Sequence, residues 1–260
     1  MEQTLPIGST VRRPVALRPL ALPSEHGGWG ILLEPVAIGL LVAGSWSGAL
    51  IGTAAVFAFL ARHPLKLALQ DAVRGRSYPR TRYCRLLAFS YLVVGAIALG
   101  GAVAIVGVRI LIPFALAAPL ALVQVVYDAR NRSRELFPEL SGAAAMSSVA
   151  AVIAMAGGMA IAPALGLAGI VVAHSLPSIV LVRALLRGGP SWPAIAVHVI
   201  AVIAVTPFAP PLATVAMIVL FLRAIWSLTH GAVPAKTIGW REIVFGAITV
   251  TLVAAGYAMA

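Results

Sequence analysis

The chain reads as long apolar blocks separated by short clusters of charge. A membrane-spanning helix needs roughly 20 mostly apolar residues. That ruler predicts nine approximate spans, at 28–45, 47–64, 86–107, 110–127, 139–159, 162–182, 193–208, 211–228 and 242–259. The third and fourth spans, like several later neighbours, are separated by only a few residues and should form antiparallel hairpins. The connections at 44–47 and 207–211 are short and almost uncharged, so no external domain is expected. The predicted fold class is all-α, a polytopic transmembrane helix bundle of about nine spans. It divides into a basic N-terminal segment, residues 1–27, and a single transmembrane domain, residues 28–260.

Composition agrees with that division. Hydrophobic residues make up 61% of the chain and charged residues 10%, with a mean hydropathy of +1.00. A soluble domain carries roughly 25% charged residues. The net charge of +11 and pI near 11.2 would suit nucleic acid. The basic residues, however, cluster between blocks of spanning length, so the expected partner is the lipid bilayer and no nucleic acid. Arg18 followed by the apolar run 29–43 imitates a signal peptide, yet eight further apolar blocks follow it. A single cysteine, Cys84, excludes an intramolecular disulfide. No Cys/His cluster points to a metal, and no cofactor is expected.

Charge also orients the bundle. With the N-terminus cytoplasmic, nine spans put every Lys and Arg except Arg109 on the cytoplasmic side. Basic residues resist translocation, so the asymmetry sets topology, and a missed or invented span would scramble it. The expected location is the bacterial inner membrane, with the C-terminus outside.

An ionisable residue inside hydrocarbon costs several kcal/mol and normally faces a cavity or a partner. Four clusters qualify. The first is Glu25-His26-Gly27-Gly28-Trp29, with Glu34-Pro35 deeper in the first span. On a helix His26, Gly30 and Glu34 share a face, and Pro35 loosens the backbone bonding there. They form either the polar wall of a substrate cavity or an interfacial cap plus one internally bonded glutamate. The second runs from Arg62 to Arg85 and holds His63, Lys66, Gln70, Asp71, Arg74 and Arg76. Lys66, Gln70 and Arg74 recur every four residues, so a continuing helix would present a cationic face to phosphate or carboxylate. The alternative is a charged helix end that only anchors topology. The third holds Tyr127, Asp128, Arg130, Arg132, Arg134, Glu135 and Glu139. There the acids Asp128 and Glu139 can pair with the neighbouring arginines as a structural network. The fourth is His174-Ser175-Leu176-Pro177-Ser178 in the sixth span, with Arg183 at its inner end. His174 and Ser178 share a face, as a site or as a histidine bonded to a neighbouring helix. The candidate set of binding residues is thus Glu25, His26, Trp29, Glu34, His63, Lys66, Gln70, Asp71, Arg74, Tyr127, Arg130, His174, Ser178 and Arg183.

Two family resemblances arise at these clusters. Glu25, His26, Gly27 and Trp29 before a proline-containing helix, Arg62-His63-Pro64, and the 130–139 element leading into Gly142 resemble the YwiC-like bacterial membrane proteins. That resemblance implies an integral membrane protein without a defined reaction. A more distant one, at Pro79-Arg80-Thr81-Arg82, is to the UbiA superfamily of intramembrane prenyltransferases, which are nine-helix bundles with a cytoplasmic N-terminus. Aligning on it sets Asp71 on the central aspartate of their first motif, while the other positions become Leu67, Ala68 and Gly75. The Tyr127 to Arg132 element is similar to that superfamily's fourth loop. Their second aspartate motif has no counterpart, since no Asp or Glu occurs between Glu139 and Glu242. Diphosphate ionisation on Mg²⁺ needs several carboxylates, so the resemblance implies a UbiA-like architecture more than transferase chemistry.

Three functions compete on this reading. One is an isoprenoid or other anionic-headgroup lipid bound by Lys66, Arg74, Arg130 and Arg183, including a divergent prenyltransferase. Another is a transporter of a small anion or weak acid using Glu34, His26 and His174 to relay protons. The third is a non-catalytic membrane component of a partner complex.

Overall fold

A computed structural model describes residues 17–22, 26–230 and 233–260, with side chains from Gly28 onward in the middle segment. A short helix α1 (Arg18–Ala21) precedes nine longer ones among the described residues. They are α2 (His26–Val42), α3 (Trp46–Val73), α4 (Pro79–Val106), α5 (Ile112–Ala129), α6 (Leu136–Ala156), α7 (Ile161–Arg187), α8 (Trp192–Val205), α9 (Pro211–Thr229) and α10 (Ala235–Met259). Each predicted span has its helix. Seven are long and apolar enough to cross a membrane, whereas α2 and α8 are shorter apolar helices. At 1.5 Å per residue, the 14 residues of α8 rise about 21 Å against a hydrocarbon core of about 30 Å. Prolines delimit α8, with Pro193 in its first turn and Pro207 just beyond its end. The multi-span bundle implies a lipid bilayer as the surroundings.

Small residues decide which helices touch. The alanine-rich α6 is the most buried of the long helices and packs against α2, α3, α5 and α7. Ala150, Ala151 and Ala154 are fully enclosed there. A Cβ on Gly39 would sit 2.8 Å from Cβ of Ile153, so glycine is what lets α2 approach α6. From that centre α3 carries α4 on one side, and α7 to α10 pack in sequence on the other until α10 closes onto α2. The α4 surface beyond α3 is apolar and outward-facing, including Leu86, Phe89 and Ile97.

The helices continue beyond the apolar blocks at the arginine-rich end. There α3 runs through Lys66 and Gln70 to Val73, so much of the expected 65–85 loop is helical. A short turn with Gly75 at φ +61° leads to α4. The turn is latched across its mouth. Thr81 accepts from the Tyr78 backbone N–H (3.0 Å) and donates to Asp71 (2.6 Å), while Arg80 reaches the other carboxylate oxygen at 3.2 Å. Reporter fusions at Arg76 and Ala260 should give opposite signals if α8 crosses despite its length. Matching signals would place it in one leaflet.

Candidate functional site

Every carboxylate among the described residues lies against a base, and the pairs sort into two regions. The arginine-rich end holds four. Asp128 receives Arg62 through two bonds, Nε to Oδ2 at 2.8 Å and Nη2 to Oδ1 at 3.2 Å, and Gln124 adds a third at 3.1 Å. Arg183 donates to Glu139 (2.6 Å) and to the Arg134 carbonyl (3.1 Å). Arg132 grips Glu135, and Arg80 holds Asp71. Asp128 and Glu139 are therefore held from α3 and α7, not by the neighbouring arginines that their sequence positions suggest. The reason is reach across the bundle: α3 runs beside α5, and α7 beside α6.

Most of the expected cationic face is engaged in the same network. Lys66 donates to Ser133 at 2.6 Å, and Gln70 donates to the Asp128 carbonyl and to Asn131. His63 Nε2 sits 3.1 Å from the Pro19 carbonyl, tying α1 to α3. Tyr127 lies between the Arg132 guanidinium and Phe137. Arg74 and Arg130 stay exposed. The Asp71 side chain, aligned with the motif aspartate, is fully buried and occupied by Thr81 and Arg80. The Pro-Arg-Thr-Arg stretch thus supplies a clamp for that carboxylate.

The second region lies deep in the other half of the bundle, between α2, α7, α8, α9 and α10. Glu34, mid-way along α2, meets His174, mid-way along α7, with Oε2 to Nε2 at 3.1 Å. One residue of α2 and one of α10 show how closely Glu34 is enclosed. Trp29, one turn earlier, packs edge-on against Phe59 of α3, and a Cβ on Gly246 of α10 would overlap Glu34 Oε1. On α9, Arg223 bonds Glu242 of α10, and its guanidinium lies 5.0 Å over the Phe245 ring. Glu242 is within electrostatic reach of His174 and Glu34 as well as Arg223, and His198 of α8 is within reach of Arg223 and His174. Five titratable side chains from five helices therefore converge. Among the described residues, no group of three His, Cys, Asp or Glu is arranged to hold a metal ion.

Proton positions follow from the partners. A carboxylate only accepts, so across the 3.1 Å from His174 Nε2 to Glu34 Oε2 the imidazole is the side that can supply a proton. A backbone carbonyl likewise only accepts, so His198 Nδ1–H donates to Ala194 at 2.7 Å and its Nε2 is bare. His174 Nδ1, His198 Nε2 and Ser178 Oγ are buried without hydrogen-bond partners. Leaving such an atom unsatisfied costs about 1–3 kcal/mol. Prolines sit beside these positions, Pro35 after Glu34 and Pro177 before Ser178, inside helices. Each removes one backbone N–H and so breaks the regular bonding where the polar side chains gather.

Of the sequence candidates, the structure joins Glu34 with His174 and sets Ser178 one turn from His174. It separates them from the network of Lys66, Gln70, Asp71 and Arg183. Glu25 lies outside the described residues, as does the His26 side chain. Arg223 was expected among the cytoplasmic topology charges but is buried within α9. It, Glu242 and His198 were not singled out as site residues. A charge five residues before the end of an apolar block is the available signal for Arg223.

The sequence profile of the YwiC-like protein family matches residues 22–154, half of the chain. No curated protein and no solved structure matches.

Substituting Asp128→Asn should destabilise the bundle by about 2 kcal/mol, because Arg62 loses the opposing charge and one of its two acceptor oxygens. Arg74→Ala, at an exposed position, should leave thermal stability unchanged; scanning both variants in detergent checks the contrast.

Proposed function

The chain belongs to the YwiC-like protein family, and on that footing we propose that it binds and moves a small weak acid or anion together with a proton. The observation that carries this reading is the mid-bundle contact of a partly buried Glu34 with a buried His174, whose Nδ1 is left without a partner. Intramembrane ionisable groups that face inward mark solute and proton pathways. A proton taken up at Nδ1 turns the contact of a neutral imidazole with the Glu34 carboxylate into an ion pair. Ser178 supplies a hydroxyl on the same face for the solute. We set the arginine-rich end in the cytoplasm of a bacterium, because basic residues resist translocation.

A second reading keeps Arg74 and Arg130. Both are exposed at the arginine-rich end and could receive an isoprenoid or other anionic lipid headgroup. Arg183, Lys66 and Gln70 already have internal partners, which weakens a phosphate site there. A divergent prenyltransferase reading has the additional burden that Asp71, Asp128 and Glu139 are each held by an arginine.

Proteoliposomes loaded with a pH indicator test the first reading. Pulses of pyruvate, phosphate or sulfate should include one that moves protons with the solute. Glu34→Gln should slow that movement at least about tenfold, the scale of one charge-assisted contact. Gly246→Ala should slow it too, by displacing Glu34 without changing its chemistry. Equal rates in wild type and Glu34→Gln would reject the reading. A co-purifying anionic lipid lost on Arg74→Ala would move the site to the arginine-rich end.

A further inference from the structure

Arg223 opens onto a second feature, on the outer surface of the bundle. Val219, Leu222, Arg223 and Trp226 fall at i, i+3, i+4 and i+7 on α9, so they share one face. With Phe245 of α10 they line a shallow groove of about 300 Å³. Leu222 and Trp226 are exposed, which sets the groove on the lipid-facing side. A further apolar groove of about 470 Å³ runs along α10 past Ile243, Ala247, Ile248 and Leu252.

The chemistry at the floor of the first groove is unusual for a lipid-facing wall. The Arg223 side chain is 2% exposed and bonded through Nη2 to Glu242. Its Nε and Nη1 are buried without hydrogen-bond partners. Glu242 already balances the guanidinium charge, so a guanidinium turned toward the groove would offer N–H donors rather than a net positive field. A second anion would leave the group negative in a medium of low dielectric, which is costly. A cation would find no acceptor on Arg223. The complementary partner brings an acceptor oxygen and no charge, on a body apolar enough to reach the groove from the bilayer.

We propose that the α9–α10 groove binds a lipid-soluble, uncharged carbonyl compound, with Arg223 donating to the carbonyl oxygen. Phe245 and Trp226 supply flat apolar walls for the body of the molecule, and the α10 groove supplies a track for its chain. The site is separate from the Glu34–His174 contact and does not depend on the transport reading.

Decylubiquinone is a suitable probe, since it has neutral ring carbonyls, an apolar chain and the ability to quench tryptophan fluorescence. Full-length protein in nanodiscs should show saturable quenching, beyond the linear partitioning seen with empty nanodiscs and free tryptophan peptide. Val219→Trp fills the groove and leaves the Arg223–Glu242 pair intact. The double change Arg223→Met/Glu242→Gln removes the donors without stranding a charge. Each should weaken binding by about tenfold, the scale of one hydrogen bond to a charged group. Decanoate at neutral pH should compete at least about tenfold less well than 2-undecanone. Linear quenching in wild type, or unchanged affinity in Val219→Trp, overturns the proposal. Stronger competition by decanoate than by 2-undecanone also overturns it, by showing an anion site.

Discussion

A carboxylate in or beside a membrane needs a polar partner, and this bundle supplies a base to each one among the described residues. Glu34, Asp71, Asp128, Glu135, Glu139 and Glu242 each lie against a base, and in five of the six the base is arginine. Arginine is always charged, so those five contacts are fixed. Glu34 alone among them faces histidine, whose charge changes with its surroundings. The one adjustable pair lies where unpartnered polar atoms collect.

The two halves of the molecule differ accordingly. At the arginine-rich end, Arg62, Gln124, Lys66 and Gln70 close a network onto Asp128 and the segment 130–135, and Thr81 caps α4 while holding Asp71. Such a network sets helix ends and leaves few atoms for a ligand. Across α2 and α7–α10, the partners are fewer and the geometry looser. Prolines interrupt α2 and α7 beside the polar residues, and glycine at 246 yields space to Glu34. Glu242 connects the two proposed sites, since it bonds Arg223 beneath the groove and senses Glu34 and His174 within the core.

Much of the architecture is legible in the sequence because spanning length and positive charge are local signals. All nine apolar blocks correspond to helices, and Glu34, His174 and Ser178 stand out as polar residues within them. The helix ends are less legible. Apolar length stops α3 near Pro64, whereas Lys66 and Gln70 continue the helix by bonding to Ser133 and Asn131, which lie more than sixty residues away. Distance in sequence also hides the partners of Asp128 and Glu139, so nearby arginines look like the natural choice. Arg223 and Glu242 read as end charges because each falls near the limit of an apolar block. His198 carries no distinguishing neighbour at all, and only the packing of α8 on α7 and α9 brings it to the core.

The central claim is that the Glu34–His174 couple accepts a proton with the solute. Nitrogen-15 NMR of histidine-labelled protein in lipid bilayers, assigned by His174→Gln, tests it at the atom concerned. The resting protein should show Nε2 protonated and Nδ1 bare. Adding the transported solute should convert Nδ1 of His174 to its protonated signature, and Glu34→Gln should abolish the change. A His174 Nδ1 signal that stays bare at saturating solute, while transport proceeds, would contradict the account.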